Sequence, residues 1–273
     1  MNRTKIGWCD ASWNPITGCY HNCPYCYARN IANRFGGFCP TENPPESRKV
    51  IETPHGELLD LWESGGQAIW RNNGQCVPAP YPLFFTPTIH RYRLDEPKGL
   101  EKPQTIFVCS MADLFGAWVP VQWIRDVFDA CLAAPWHRYL FLTKNPFRYF
   151  YLNKIALLPH DDNFWYGVTV TDDNARRLYR YDGYHLFWSI EPLLGSVEMW
   201  ITHSTEEAMI PRLPEWVIIG AETGNRRNKV IPEWKWVEDI RAFCEKFSIP
   251  VFYKDSIRKL FPDLPESRFP WKT

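Results

Sequence analysis

The sequence predicts an α/β fold built from parallel strands. Short apolar runs alternate with helical patterns along most of the 273 residues, and strands separated by helices indicate a parallel sheet. Ile106–Cys109, Tyr139–Leu142 and Val217–Ile219 are continuously apolar, as expected of strands that are buried on both faces. A single α/β barrel commonly has about 250 residues, so the chain is long enough for one such domain. From the number of strands we expect a partial (β/α)6-type TIM barrel with an irregular insertion.

Seven strands are predicted from the apolar runs, and most are followed by a helical pattern. The predicted strands are Ser12–Thr17, Thr105–Cys109, Tyr139–Thr143, Trp165–Thr171, His185–Ile190, Trp216–Ala221 and Pro250–Tyr253. The predicted helices are Tyr27–Phe35, Val121–Ala133, Asn145–Leu152, Asp172–Arg180 and Trp234–Phe247. Pro120 precedes the second helix, as is typical of prolines in a first turn.

One domain is predicted over residues 1–257, followed by a C-terminal tail over 258–273. Residues 36–82 are rich in proline, glycine and charge, which indicates an irregular insertion or lid. Within it, Leu58–Ser64 is predicted to form a short helix. The tail contains three prolines and is expected to pack over the outside or one mouth of the barrel.

The charge balance argues against strong non-specific attraction to nucleic acid. Lys plus Arg and Asp plus Glu both number 31, although a local basic groove stays possible. The first residues are polar and aromatic, and the sequence has no apolar run of about 20 residues, so we expect a cytoplasmic protein with no membrane partner. Thiols stay reduced in that compartment. We expect Cys109, Cys131 and Cys244, which lie in apolar patterns, to be buried.

The most specific motif is a C-x3-C-x2-C loop formed by Cys19, Cys23 and Cys26. A [4Fe–4S] cluster has four irons, so three thiolates leave one iron open to another ligand. Structural zinc usually takes four ligands, commonly with a second C-x2-C that this chain lacks. Cys39 lies 13 residues beyond Cys26, which does not suit a ferredoxin cluster. An open-iron cluster is favoured, with zinc as the alternative.

A second cluster on Cys9, Cys39 and Cys76 is less favoured. Their spacings are wide and a fourth ligand is missing. The sequence leaves open whether these three cysteines bind anything.

Polar residues follow every predicted strand, and reactive groups of parallel barrels collect at these carboxyl ends. An open iron that binds S-adenosylmethionine (SAM) calls for groups that hold its ammonium, carboxylate, ribose and adenine. Ser110 and Asp113 are candidates at the methionine end, and Thr169 and Glu191 at the ribose. Each has an ordinary structural alternative, such as a helix cap, a loop acid or the partner of a nearby base.

Further candidates follow from the same argument. Tyr25 is a candidate to lie against the adenine, and Glu222 forms a second acid beside Glu191 at neighbouring strand ends. The basic residues expected to contact a substrate anion or phosphate are Lys144, Arg176, Arg177, Arg226 and Lys254. A solvated surface is the alternative for these charges.

Several segments together resemble the radical SAM superfamily. Besides the cysteine loop they are Trp13–Pro15, Phe107–Phe115, Leu142–Pro146, Glu191–Gly195 and Gly220–Gly224. As a set they most resemble its phage-associated branch, whose function is uncharacterised. The resemblance runs from about residue 5 to residue 256.

The resemblance implies a partial TIM barrel with a [4Fe–4S] cluster on Cys19, Cys23 and Cys26. It implies reductive cleavage of SAM to methionine and a 5′-deoxyadenosyl radical, which abstracts hydrogen from a substrate. The expected electron donor is a flavodoxin or ferredoxin, and the substrate is weakly expected to be a nucleic acid or nucleotide. The alternative is a zinc-stabilised nucleic-acid-binding module without catalysis.

Overall fold

The computed structural model describes residues 2–36, 48–62, 68–70, 76–78, 84–175, 183–199 and 213–272. Cys39, Arg176 and Arg177 lie outside these ranges, so the predictions made for them have no structural counterpart. The chain divides into two compact units, Met1–Tyr139 and Leu140–Thr273. Each unit is described separately.

Within its described residues, the first unit contains nine strands and two α-helices. The strands are β1 (Asn2–Arg3), β2 (Ala11–Trp13), β3 (Ile16–Thr17), β4 (Arg48–Thr53), β5 (Gly56–Leu61), β6 (Ala68–Trp70), β7 (Cys76–Pro78), β8 (Thr88–His90) and β9 (Thr105–Val108). The helices are α1 (Tyr27–Phe35) and α2 (Val121–Leu132).

Leu140–Thr273 contains both strands and helices. Its strands are β10 (Arg138–Thr143, which begins just before the division), β11 (Phe164–Thr169), β12 (His185–Ile190), β13 (Trp216–Ile219) and β14 (Val251–Tyr253). Its helices are α3 (Phe147–Lys154), α4 (Trp234–Lys246) and α5 (Asp255–Arg258).

The first unit combines parallel and antiparallel pairs, and the pairs of the second unit are parallel. In the first unit β2 pairs with β9 in parallel and with β1 in antiparallel. In the second unit β11, β12, β13 and β14 pair in parallel in that order. All residues of β9, β11 and β13 are buried, as their continuous apolar character requires. The predicted α/β class with parallel strands is therefore confirmed, and each of the seven predicted strands has a counterpart.

The first predicted strand is divided in two, which corrects the single strand Ser12–Thr17. β2 pairs with β9, whereas β3 pairs with β8 in a second sheet of order β3-β8-β5-β4. Asn14 and Pro15 separate them, and Pro15 has no N–H for a ladder. Its carbonyl instead accepts a hydrogen bond from the backbone N–H of His90.

The predicted helix at Leu58–Ser64 is wrong, because Gly56–Leu61 is strand β5. Residues 48–62 of the insertion are also not irregular, since β4 and β5 form an antiparallel pair. Asp60 is buried on β5, and the Arg91 guanidinium donates to both of its carboxylate oxygens at 2.6 and 2.8 Å. A charged side chain can occupy a buried strand when it pairs with a residue that is distant in sequence. The local sequence does not reveal that partner.

The predicted helix Asp172–Arg180 is also wrong over residues 172–175, the part of it that the structure describes. Residues 172–175 form turns, and Asp172 Oδ1 accepts from the backbone N–H of Asn174 at 2.8 Å. An aspartate that bonds its own backbone two residues on favours a turn over a helix.

The C-terminal tail packs against the beginnings of strands in the second unit. Trp271 contacts Trp165 at 5.2 Å and Trp216 at 5.0 Å between ring centroids. The backbone N–H of Arg268 donates to the carbonyl of Val251 at 2.8 Å. The tail therefore covers the amino ends of β11, β13 and β14.

Among the described helices, none is both long enough and apolar enough to cross a membrane.

Candidate functional site

The cysteine loop leaves strand β3 through a glycine that the backbone geometry requires. Gly18 has φ +84°, and a Cβ placed there would lie 2.3 Å from the carbonyl oxygen of Thr86. Its N–H donates to the carbonyl of Met111 at 3.0 Å, and the N–H of Cys19 donates to the carbonyl of Phe85 at 3.1 Å. The start of the loop is therefore fixed by neighbouring backbone on two sides.

The end of the loop forms the N-cap of α1. Cys26 Sγ accepts from the backbone N–H of Arg29 at 3.4 Å, in the position usually held by Ser, Thr or Asp. Cys19 Sγ accepts from the N–H of His21 at 3.5 Å. Both sulfurs therefore accept hydrogen bonds from backbone within the loop or at the start of α1.

Cys19, Cys23 and Cys26 form no disulfide bond and are partly exposed. In the part of the chain that the structure describes, no group of three or more His, Cys, Asp or Glu side chains is placed to hold a metal ion. The donor types nevertheless fit an iron–sulfur cluster, because three accessible sulfurs occur within the eight residues 19–26. To hold a cluster, the three cysteine side chains would have to turn toward one another.

Other cysteines are unsuited to metal binding. Cys109, Cys131 and Cys244 are buried as predicted, and burial raises the pKa of the Cys109 and Cys244 thiols to about 12. These thiols therefore stay protonated at neutral pH, and metal ligation requires a thiolate.

His21 ties the cysteine loop to the loop that follows β9. Its Nε2 lies 2.6 Å from Oδ2 of buried Asp113, whose Oδ1 accepts from the N–H of Phe115 at 3.0 Å. The His21 ring also meets Trp118 edge-on, with centroids 4.8 Å apart. Asp113 is predicted to contact a cofactor, and in the structure its carboxylate also contacts the loop that carries the cysteines.

Asn14 organises the other predicted residue after β9. Its Oδ1 accepts from the Ser110 hydroxyl at 3.1 Å and from the Met111 N–H at 2.9 Å. The carbonyl of Ser110 accepts from the Tyr27 hydroxyl at 2.7 Å. Ser110 therefore lies beside α1 and the cysteine loop. Tyr25 is partly buried, and its predicted contact with the adenine stays a prediction.

A second polar group lies at the carboxyl ends of strands in Leu140–Thr273. Lys254 Nζ donates to Glu191, and both side chains are about four-fifths buried. They pass over Gly220, where an added Cβ would lie 2.9 Å from Lys254 Cδ and 3.2 Å from Glu191 Cδ. The predicted cofactor acid and the predicted anion-binding lysine are therefore partners of each other.

Ser189 lies on β12, two residues before Glu191 in the chain. Its register partner on β11 is buried Thr169. Ser189 is fully buried, and its hydroxyl has no hydrogen-bond partner within the described residues. Buried hydroxyls usually have a hydrogen-bond partner. Ser189 is therefore the strongest indication in this unit of a hydrogen bond that the described residues leave unmade.

Glu222 and Arg226 also pair, within one loop. Arg226 donates to both carboxylate oxygens at 2.6 and 2.7 Å, and this guanidinium lowers the pKa of Glu222. The predicted cofactor acid and the predicted phosphate ligand thus neutralise each other. Lys144 follows β10, as predicted.

Sequence reasoning missed His21, Asn14 and Trp118. His21 and Asn14 lie within or just before the cysteine motif, and that position was the only available signal. Their partners are about 90 residues away or more, so the pairings are tertiary.

Neither the curated proteins nor the solved structures contain a match to this chain. One family model matches residues 3–258, nearly the whole chain. On that match, the chain belongs to the family described as protein of unknown function DUF5131.

Proposed function

We propose that the protein is a radical SAM enzyme that holds a [4Fe–4S] cluster on Cys19, Cys23 and Cys26. The observation that carries the proposal is the loop itself: three partly exposed thiols that form no disulfide bond, with the last at the N-cap of α1. Three sulfurs leave one iron for a further ligand. The backbone bonds of Gly18 and Cys19 and the His21–Asp113 contact support the proposal, because they fix the loop before any ligand binds.

When bound, the cluster supplies the electron that cleaves SAM to methionine and a 5′-deoxyadenosyl radical. Within the first unit the proposal assigns Tyr25, Ser110 and Asp113 to SAM, and the His21 contact holds the Asp113 carboxylate in place. The cofactor roles predicted for Thr169, Glu191 and Glu222, which lie in the second unit, stay predictions.

A partial (β/α)6-type TIM barrel is part of the same proposal. Seven strands in the predicted order and the parallel pairs of both units support it. The proposed electron donor is a cytoplasmic flavodoxin or ferredoxin, and the proposed substrate is a nucleic acid or nucleotide.

Anaerobic reconstitution tests the proposal. The reconstituted protein should bind about four irons per chain, and dithionite with SAM should release 5′-deoxyadenosine. Cys23→Ala should abolish that product. Cys9→Ser is the matched control, because Cys9 also forms no disulfide bond and is partly exposed but lies outside the motif.

Elemental analysis after anaerobic purification separates the proposal from its alternative. Zinc without iron on the same thiolates would identify a zinc-stabilised binding module and refute the radical enzyme. Release of 5′-deoxyadenosine at the same rate from Cys23→Ala would also refute it.

A further inference from the structure

Helix α3 exposes large apolar side chains on one face. Phe147 is 60% exposed, Tyr151 47%, Ile155 43% and Phe150 36%. Phe147, Tyr151 and Ile155 are spaced by four residues, so they lie along one side of the helix and its C-cap. We call Phe147, Phe150, Tyr151 and Ile155 the aromatic face. Clustered exposed rings usually mark a binding surface.

The opposite side of α3 is firmly packed. Tyr149 and Leu152 are buried, and the Tyr149 hydroxyl donates to the carbonyl of Gly167 on β11 at 3.1 Å. The helix is therefore anchored to the sheet. Its aromatic face is held as a fixed platform, so little side-chain ordering is needed on binding.

The charges around the aromatic face have one sign. Lys144, Arg148 and Lys154 lie on or beside α3, and the sequence contains no Asp or Glu between Asp129 and Asp161. The Arg148 guanidinium carbon lies 5.2 Å from the centroid of the Tyr151 ring. In a chain with equal numbers of acids and bases, this segment is locally basic.

Exposed rings beside basic side chains are what single-stranded nucleic acids require, because bases stack on the rings and phosphates pair with the cations. We propose that the aromatic face of α3 binds single-stranded nucleic acid. This inference deepens the proposed function by naming the substrate class, and it relies on that function only for the claim that the bound strand is the substrate.

Two other occupants fit less well. A symmetric pair of chains joined through this face would place Lys144, Arg148 and Lys154 against their own copies, and like charges repel. An anionic membrane binds amphipathic helices that commonly have roughly 20–30 residues, whereas α3 has eight residues.

Fluorescence anisotropy with a labelled oligothymidylate tests the inference on the full-length chain. Phe147→Ala and Tyr151→Ala should each weaken binding about tenfold, since stacking contributes roughly 1–3 kcal/mol per base. Lys154→Ala should reduce the slope of log affinity against log salt by about 0.7. Trp234→Ala is the matched control, because Trp234 is 46% exposed on α4, which carries Glu238 and Asp239.

The inference is overturned if oligothymidylate does not bind, or if Trp234→Ala weakens binding as much as Tyr151→Ala. It is also overturned if the α3 variants change only the oligomeric state or only binding to phosphatidylserine vesicles. Cys23→Ala separates this inference from the proposed enzyme. That variant should bind the oligonucleotide normally while producing no 5′-deoxyadenosine. The binding inference and the proposed enzyme activity can therefore be refuted independently.

Discussion

His21 Nε2 lies 2.6 Å from Oδ2 of Asp113, a contact across 92 residues that joins the cysteine loop to the loop after β9. Asp113 is buried, and its second oxygen accepts the N–H of Phe115. The contact restricts the middle of a loop whose two ends are already fixed by Gly18 and by the start of α1.

Removing either partner of this contact should lower the stability of the loop. His21→Ala leaves a buried carboxylate with one bond fewer, and we expect a loss of about 1–3 kcal/mol in the free energy of unfolding. Asp113→Asn should cost a similar amount. The double variant should cost clearly less than the sum, because the two changes remove one interaction. Urea unfolding of the four proteins measures this coupling, and strictly additive losses would contradict it.

Gly220→Ala should disturb the Glu191–Lys254 pair. The new methyl group would lie 2.9 Å from Lys254 Cδ, so the ion pair must shift, and we expect a loss of about 1–3 kcal/mol. Gly99→Ala is the control, since its Cβ would meet nothing closer than 3.5 Å. Thermal unfolding compares the two variants, and equal melting temperatures would contradict the prediction.

Ser189→Ala should stabilise the ligand-free protein or leave it unchanged. The Ser189 hydroxyl is buried without a partner among the described residues, and its removal relieves an unsatisfied polar group. Thr143→Val provides the contrast, because the buried Thr143 hydroxyl accepts from the Asn145 N–H at 2.9 Å. We expect Thr143→Val to lose about 1 kcal/mol. A large loss in Ser189→Ala would show that its hydroxyl already has a partner.

His90 should make stability depend on pH. Burial, followed by the charge of Arg93, lowers its pKa well below the ordinary value of 6.5, and its ring lies between Thr17 Oγ1 at 2.9 Å and the Tyr92 hydroxyl at 3.1 Å. The unfolded chain therefore binds a proton more readily than the folded chain. The stabilisation is complete above about pH 6.5 and is lost as the pH falls toward the folded pKa, by up to about 1.4 kcal/mol per pH unit.

His90→Gln should remove this contribution to the pH dependence. Its melting temperature should fall less between neutral and mildly acidic pH than that of the unchanged protein. His55→Gln is the control, since His55 is exposed. Parallel pH profiles for the unchanged protein and His90→Gln would count against the prediction.

Much of the fold was predictable, because apolar runs report burial directly. The strands β9, β10, β11, β12, β13 and β14 all coincide with such runs. Strand β5 was missed, because the acid Asp60 interrupts its pattern and its partner Arg91 is distant in sequence. The prediction of a helix was wrong where an aspartate side chain accepts a hydrogen bond from the nearby backbone, as at Asp172.

The candidate site was predictable in composition and less so in arrangement. The cysteine motif is local, and its three thiols are on one loop as expected. Asp113, Glu222 and Lys254 occur at the predicted strand ends, but each is engaged by a neighbouring side chain. Such pairings depend on the folded arrangement and on side-chain reach, which strand order alone does not specify.

The four-stranded sheet of the first unit has a consequence for any attempt to shorten the chain. β3, the stem of the cysteine loop, is hydrogen-bonded to β8, and β8 is hydrogen-bonded to β5 from within the 36–82 segment. The 36–82 segment therefore contributes a strand to the sheet that contains the stem of the cysteine loop. Excising it would leave an uncovered edge one strand away from the thiols, so a minimal version of this protein has to retain residues 48–62.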